Sequence, residues 1–112
     1  MISDFLIINC IGKDDKLALR INKDFFIHNF ERNENNFDQL VPLMLNFLNS
    51  HNVKLDQNFS VIVNMGPGSF SGIRVALAVA KGIGVSKKVR LYGYNDIDLK
   101  VFDQQNIEKL FN

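Results

Sequence analysis

Short apolar runs separated by polar turns recur along the chain, a pattern typical of an α/β domain. Residues 5–10 form an unbroken apolar run, as expected of a central strand that is buried on both faces. Alternating residues 17–21 and aromatic residues 25–30 flank a polar tripeptide, and together they predict a β-hairpin beside that strand. The apolar runs 59–65 and 90–94 predict a fourth and a fifth strand.

Helical spacing occurs in three other stretches. Apolar residues three and four positions apart predict a helix from a cap at Asn36 to about residue 50, whose core-facing stripe comprises Phe37, Leu40, Val41, Met44, Phe47 and Leu48. Pro42 lies near its start, so the first turn is expected to be irregular. A second helix is predicted from Phe70 to about Gly84, and a third in the tail from about Asp96. The predicted order β1β2β3αβαβα requires a five-stranded mixed sheet with helices packed on it.

Length, charge and cysteine content narrow the class of protein. A chain of 112 residues is expected to form one domain spanning 1–112. The formal net charge of +1 disfavours a nucleic-acid binder that works by bulk electrostatics. Cys10 is the only cysteine, which excludes an intrachain disulfide and favours a reducing cytoplasm. The start lacks a basic leader and no run approaches the ~20 apolar residues of a membrane span, so no membrane partner is expected.

A glycine-rich loop joins the fourth strand to the second helix at residues 66–72, where free backbone N–H groups could attract phosphate. Its spacing fits neither the P-loop nor the dinucleotide-binding motif. Counted from Gly66, Ser71 stands where the P-loop requires its second glycine and where the dinucleotide-binding motif requires its third. It also fails as a nucleophile elbow, since Phe70 occupies the serine position. Ser69 is expected to cap the helix, with anion binding as the alternative.

The histidines, Ser71 and the basic residues near the end of the second helix do not predict a metal site or a catalytic site. His28 and His51 have no further ligand at suitable spacing, so no metal site is predicted. Ser71 has no candidate base nearby in sequence, and no catalytic residue is predicted. The basic cluster of Lys87, Lys88 and Arg90 is expected to be solvated surface, with nucleic-acid or partner contact as the alternative.

Small residues recur every four positions along the second helix and form one ridge: Gly72, Ala76, Ala80 and Gly84. The larger Ile73, Leu77 and Ile83 are then expected to face the sheet. Two interpretations of the ridge stay open. It packs against the first helix of the same domain, or it lets a helix of a partner approach closely.

Residues 66–74 read GPGSFSGIR and are followed by AVAKG, which resembles the GPGSF[TS]G[ILV]R…AxG signature of the TsaB (YeaZ) family of Gcp-like proteins, also labelled peptidase M22 or glycoprotease. The residues that match this signature loop are Gly66, Pro67, Gly68, Ser69, Phe70, Ser71 and Arg74. The LVPLM segment at 40–44 and the LYGY segment at 91–94 resemble other parts of that family in the same order.

The resemblance implies an actin-like, ribonuclease-H-like lobe, with the second lobe of the family absent from this chain. It implies a non-catalytic subunit that pairs with a TsaD-like enzyme, is joined by a TsaE-like ATPase, and supports formation of N6-threonylcarbamoyladenosine beside the tRNA anticodon. The pairing would use both helices, at Phe37, Leu40, Met44, Gly72, Ile73, Ala76, Ala80 and Gly84. ATP and Mg²⁺ would be used by the wider complex rather than bound by this chain alone, and tRNA would be reached through the complex.

The chain departs from the family at the end of the first strand, where Asn9 and Cys10 replace the usual Asp-Thr pair. An amide cannot offer Mg²⁺ the charge of a carboxylate, which argues against nucleotide hydrolysis within this chain. The alternative function is a nucleotide-binding or glycoprotease-like enzyme that uses the 66–72 loop and acts alone or as a homodimer. A homodimer through the two helices is compatible with either function.

Overall fold

The computed structural model describes residues 4–12, 15–29, 39–99 and 102–111. The strands are β1 (Asp4–Asn9), β2 (Lys16–Ile21), β3 (Asp24–Asn29), β4 (Phe59–Asn64) and β5 (Arg90–Tyr94). The helices are α1 (Leu40–Ser50), α2 (Phe70–Lys87) and α3 (Gln104–Phe111), and a short 3-10 turn at Asp96–Asp98 precedes α3. The predicted order of elements is confirmed.

The five strands form one mixed sheet in the order β3-β2-β1-β4-β5. The hairpin strands β2 and β3 run antiparallel to their neighbours, whereas β4 and β5 are parallel to β1. The parallel pairs require crossover connections, which α1 and α2 supply. The predicted mixed sheet and the central place of β1 are therefore confirmed.

Side chains alternate across the sheet and build a core on each face. On one face, Leu6 and Ile8 of β1 join Val61 and Val63 of β4 beneath α1 and α2. On the opposite face the core lies beneath α3 and comprises Phe5, Ile7, Ala18, Ile62, Tyr94, Leu99 and Ile107. Burial on both faces explains why residues 5–8 of β1 are all apolar.

Two local predictions can be compared with the backbone. Asn22 and Lys23 both have positive φ, 52° and 73°, and they form the two-residue turn of the β2–β3 hairpin. Pro42 lies in the first turn of α1, where its missing N–H would have no partner within the helix. The predicted cap at Asn36 and the stripe residue Phe37 lie outside the described residues.

None of the helices in the described ranges combines the length and the apolar character needed to cross a bilayer.

Candidate functional site

The signature loop is wedged against the chain that leaves β1. Gly66 has a φ of 95°, which favours glycine. A Cβ on Gly68 would lie 2.5 Å from the carbonyl oxygen of Ile11, so only glycine fits that position. The same carbonyl oxygen accepts a hydrogen bond of 2.6 Å from the N–H of Ser69. The two glycines therefore permit close packing of two backbone segments.

Several N–H groups of this loop are already engaged. The N–H of Gly66 donates to Oδ1 of Asn64 at 2.9 Å, and the N–H of Gly72 donates to Oγ of Ser69 at 3.2 Å. Ser69 is thus the N-cap of α2, as the sequence predicts. With Gly66, Ser69 and Gly72 all donating within the protein, the loop acts as a structural junction and offers few donors to a phosphate.

A buried polar cluster lies beside this loop, where the parallel strands end. Nδ2 of Asn64 donates to Oδ1 of Asn9 at 2.9 Å and to Oδ1 of Asp96 at 3.1 Å. Asn64 therefore links the end of β1, the signature loop and the 3-10 turn. These residues fit a Mg²⁺-nucleotide poorly, because Asn9 is a neutral amide and the single carboxylate, Asp96, already accepts a hydrogen bond from Asn64.

Tyr94 borders the same cluster from the end of β5. Burial raises the pKa of Tyr94 well above its usual value, and the nearby carboxylate of Asp96 raises it further, whereas a hydrogen bond with Asn64 opposes the shift. The phenol is therefore kept neutral, as a structural member of the cluster.

The predicted docking ridge of α2 faces inward. Ala76 is 0% exposed, Ala80 and Gly72 are also buried, and the two alanines belong to the core between the helices and the sheet. Leu40 and Met44 of α1 lie in that same core. The prediction that these five residues meet a partner is wrong, because they are enclosed by the lobe's own sheet and helices. The alternative interpretation, that the ridge packs against the first helix of the same domain, stays a prediction, since Ala76 and Ala80 lie in a core that α1 and α2 share with the sheet.

The remaining predicted interface residues occupy intermediate positions. A Cβ on Gly84 would lie 3.0 Å from Cδ1 of Leu91, so this glycine accommodates a side chain of β5. Ile73 is half-buried, and its Cδ1 would lie 2.9 Å from a Cβ on Gly66, so it packs beneath the signature loop. Phe37 lies outside the described residues.

A different surface of the two helices faces solvent. Phe70 and Val85 of α2 are 70% and 78% exposed, and Val41 and Leu45 of α1 are 43% and 44% exposed. The guanidinium of Arg74 lies over the ring of Phe70, 4.4 Å from its centroid. We call this surface the two-helix face and define it as Val41, Leu45, Phe70, Arg74, Ala78, Lys81, Gly82 and Val85, all exposed.

Sequence reasoning missed this face although a signal was present. The row Arg74, Ala78 and Gly82 also repeats every four residues and is also small at two positions. It differs from the buried row in carrying a cation, which is costly to bury without a partner. The charge of Arg74 therefore indicates which of the two rows of small residues along α2 is exposed.

The two histidines contribute to packing. The rings of Phe26 and His51 are stacked with centroids 3.9 Å apart, and the ring of His28 lies 5.7 Å from that of Phe47. Across the described ranges, no three His, Cys, Asp or Glu side chains come together as candidate metal ligands.

The fold and the signature loop define an actin-like α/β lobe of the YeaZ type. The structure titled "YeaZ from Pseudomonas aeruginosa" superposes with a TM-score of 0.75 at 20% identity, covering 97% of this chain and 52% of that one. A second structure, described as an uncharacterized protein with similarity to peptidase YEAZ from Pseudomonas aeruginosa, gives a TM-score of 0.76 at 20% identity, covering 87% of this chain and 45% of that one. The actin-like fold predicted from the resemblance is confirmed.

Sequence comparison gives the family. The family model "TsaD: tRNA N6-adenosine threonylcarbamoyltransferase" matches residues 32–109, and the chain belongs to that family. A curated relative, the tRNA threonylcarbamoyladenosine biosynthesis protein TsaB of Buchnera aphidicola subsp. Baizongia pistaciae (strain Bp), is 44% identical over 46 residues, which is 41% of this chain and 21% of the relative. The chain spans about half the length of the solved structures it matches. The predicted TsaB (YeaZ) and Gcp-like resemblance is confirmed.

Proposed function

We propose that this chain is a non-catalytic, TsaB-like subunit that pairs with a TsaD-like enzyme through the two-helix face. In this role it supports formation of N6-threonylcarbamoyladenosine on tRNA. Membership of the threonylcarbamoyltransferase family supports involvement in this modification, and the name of the curated Buchnera relative points to the same pathway.

The observation that carries the proposal is the exposed apolar surface on two helices that cover one side of the sheet. Phe70 and Val85 expose most of their side-chain surface, and Val41 and Leu45 expose over two-fifths of theirs. Large apolar side chains exposed on two helices that cover the same side of the sheet indicate an interaction surface. Ala78 lies among them, and its small side chain lets the backbone of a facing helix come close.

The non-catalytic role is supported by the polar cluster. Asn9 replaces the carboxylate expected at the end of the first strand, and its amide oxygen accepts a hydrogen bond from Asn64. We therefore assign ATP and Mg²⁺ to the wider complex, which would include a TsaE-like ATPase and would act on tRNA in the cytoplasm. The competing function, a nucleotide-binding or glycoprotease-like enzyme, gains no support from a loop whose N–H groups donate internally.

The test is co-expression with the TsaD-like protein of the same organism, followed by size-exclusion chromatography. We expect a stable complex for the wild type, and loss of that complex in a Phe70→Ala, Val85→Ser double variant. A matched control, Leu55→Ala, removes a half-buried side chain that is part of the lobe's core periphery and lies outside the two-helix face. Failure of the wild type to form any complex would refute the proposed pairing.

A second measurement addresses catalysis directly. Titration of the isolated chain with ATP and Mg²⁺ in a calorimeter should give no saturable heat. Tight, saturable binding would instead support the enzyme alternative.

A further inference from the structure

Charge is segregated along this chain. The whole sequence has 13 basic and 12 acidic residues, yet residues 57–95 contain five basic residues and no acidic one. The remainder therefore holds eight basic and twelve acidic residues. Although the net charge of the whole chain is only +1, the segment that forms β4, α2 and β5 is basic. The α1 segment has no charged residue at all, so neither helix of the two-helix face carries an acidic side chain.

Three of these five cations, Arg74, Lys81 and Lys88, recur at intervals of seven residues. Arg74 and Lys81 are both exposed and seven residues apart, which places them on one side of α2 about 10 Å apart. Lys88 is also exposed and lies just beyond the end of α2, at its C-cap. Phe70 and Val85 lie on the same side, because they are four residues from Arg74 and Lys81. The two-helix face is thus an apolar surface crossed by a basic row.

This arrangement disfavours a second copy of the chain as the occupant. Lys81 lies near the middle of α2, so pairing two copies across α2 in an antiparallel sense would bring the two Lys81 side chains close together. A parallel pairing would oppose each cation to its own counterpart. Like charges brought together at an interface disfavour association.

We propose that the surface that occupies the two-helix face is acidic and presents carboxylates opposite Arg74, Lys81 and Lys88. This inference rests on the proposed function, because it assumes that the two-helix face is where the TsaD-like partner docks. The guanidinium of Arg74 lies over the exposed ring of Phe70, and its planar fork suits bidentate pairing with a carboxylate.

The test compares charge reversals in the purified pair. Dissociation constants for the TsaD-like partner are measured at about 50 and 500 mM NaCl for the wild type, Lys81→Glu and Lys88→Glu. The control is Lys23→Glu, which makes the same charge change in the β2–β3 turn. We expect each α2 reversal to weaken binding at least about tenfold at low salt and much less at high salt, because salt screens exposed charges. The control should stay within about twofold.

The alternatives give different outcomes. A complex that forms but is insensitive to salt and to both α2 reversals would overturn the acidic-partner inference and leave the pairing intact. No complex at all for the wild type would remove both proposals. Self-association that strengthens with added salt would identify a second copy as the occupant. Binding of tRNA alone that is lost in both α2 variants, with the protein pair unaffected, would assign the basic row to RNA.

Discussion

Substitution of two alanines on α2 can test which side of the helix packs in the core and which side meets a partner. Ala76 is 0% exposed, whereas Ala78, two residues further, is exposed. Leucine adds three carbon atoms at either position. At Ala76 these atoms must enter a filled core, and such overpacking costs about 1–3 kcal/mol. At Ala78 they project into solvent, where a substitution changes stability by about 0.5 kcal/mol or less.

Thermal unfolding of Ala76→Leu and Ala78→Leu measures this difference in stability. For a domain of this size, each kcal/mol lowers Tm by roughly 4–8 °C, so Ala76→Leu should lower Tm by about 5–20 °C. Ala78→Leu should leave Tm within a few degrees of the wild type. In the pairing assay the order reverses. Ala78→Leu should weaken the complex with the TsaD-like partner, because its side chain holds the facing helix away from the two-helix face.

An unchanged Tm for Ala76→Leu would show that the buried row does not face the core. Full-strength pairing of Ala78→Leu would show that α2 does not meet its partner along the exposed row. The first result would contradict the orientation of α2, and the second would contradict the docking proposal.

Three further measurements address the rest of the lobe. The pKa of Tyr94 is raised in the folded state, so folding is favoured by its neutral form below about pH 10, and this stabilisation is lost as the pH rises. In urea titrations at alkaline pH, the free energy of unfolding of Tyr94→Phe should therefore decrease less with rising pH than that of the wild type. The pKa of Glu108 is lowered, first by a hydrogen bond from Gln104 and then by one from Arg20, so its contribution is present above about pH 4.3 and lost on acidification. Glu108→Gln should flatten the acid side of the stability profile and cost less than about 1 kcal/mol near neutrality; an acid profile identical to the wild type would contradict this. Gly68→Ala should destabilise the lobe by about 1–3 kcal/mol in denaturant titrations, because its Cβ would meet a backbone oxygen, and a wild-type midpoint would show that the loop can relax.

Local patterns in the sequence predict most of this fold. The apolar run of β1, the alternation in β2 and the turn predicted over residues 22–24 are set by neighbouring residues. All three are found at these places, although the turn comprises only Asn22 and Lys23, and Asp24 begins β3. The cap at Ser69 is equally local, since an N-cap interacts with the first turn of its own helix.

The candidate site is predicted less well, because it depends on contacts between distant segments. Spacing alone shows that Gly72, Ala76 and Ala80 share a side of α2 but not which side packs on the sheet. The bonds from Asn64 to Asn9 and Asp96 join residues 55 and 32 positions apart, and no sequence period reports such pairs.

Asn64 has a consequence for how the lobe moves. Its side chain is hydrogen-bonded to the last residue of β1, to the loop that leads into α2 and to the turn that precedes α3, so one residue joins three segments at the end of the sheet. The lobe would therefore present its helices as a stiff platform, and any adjustment during assembly would fall to the other subunit.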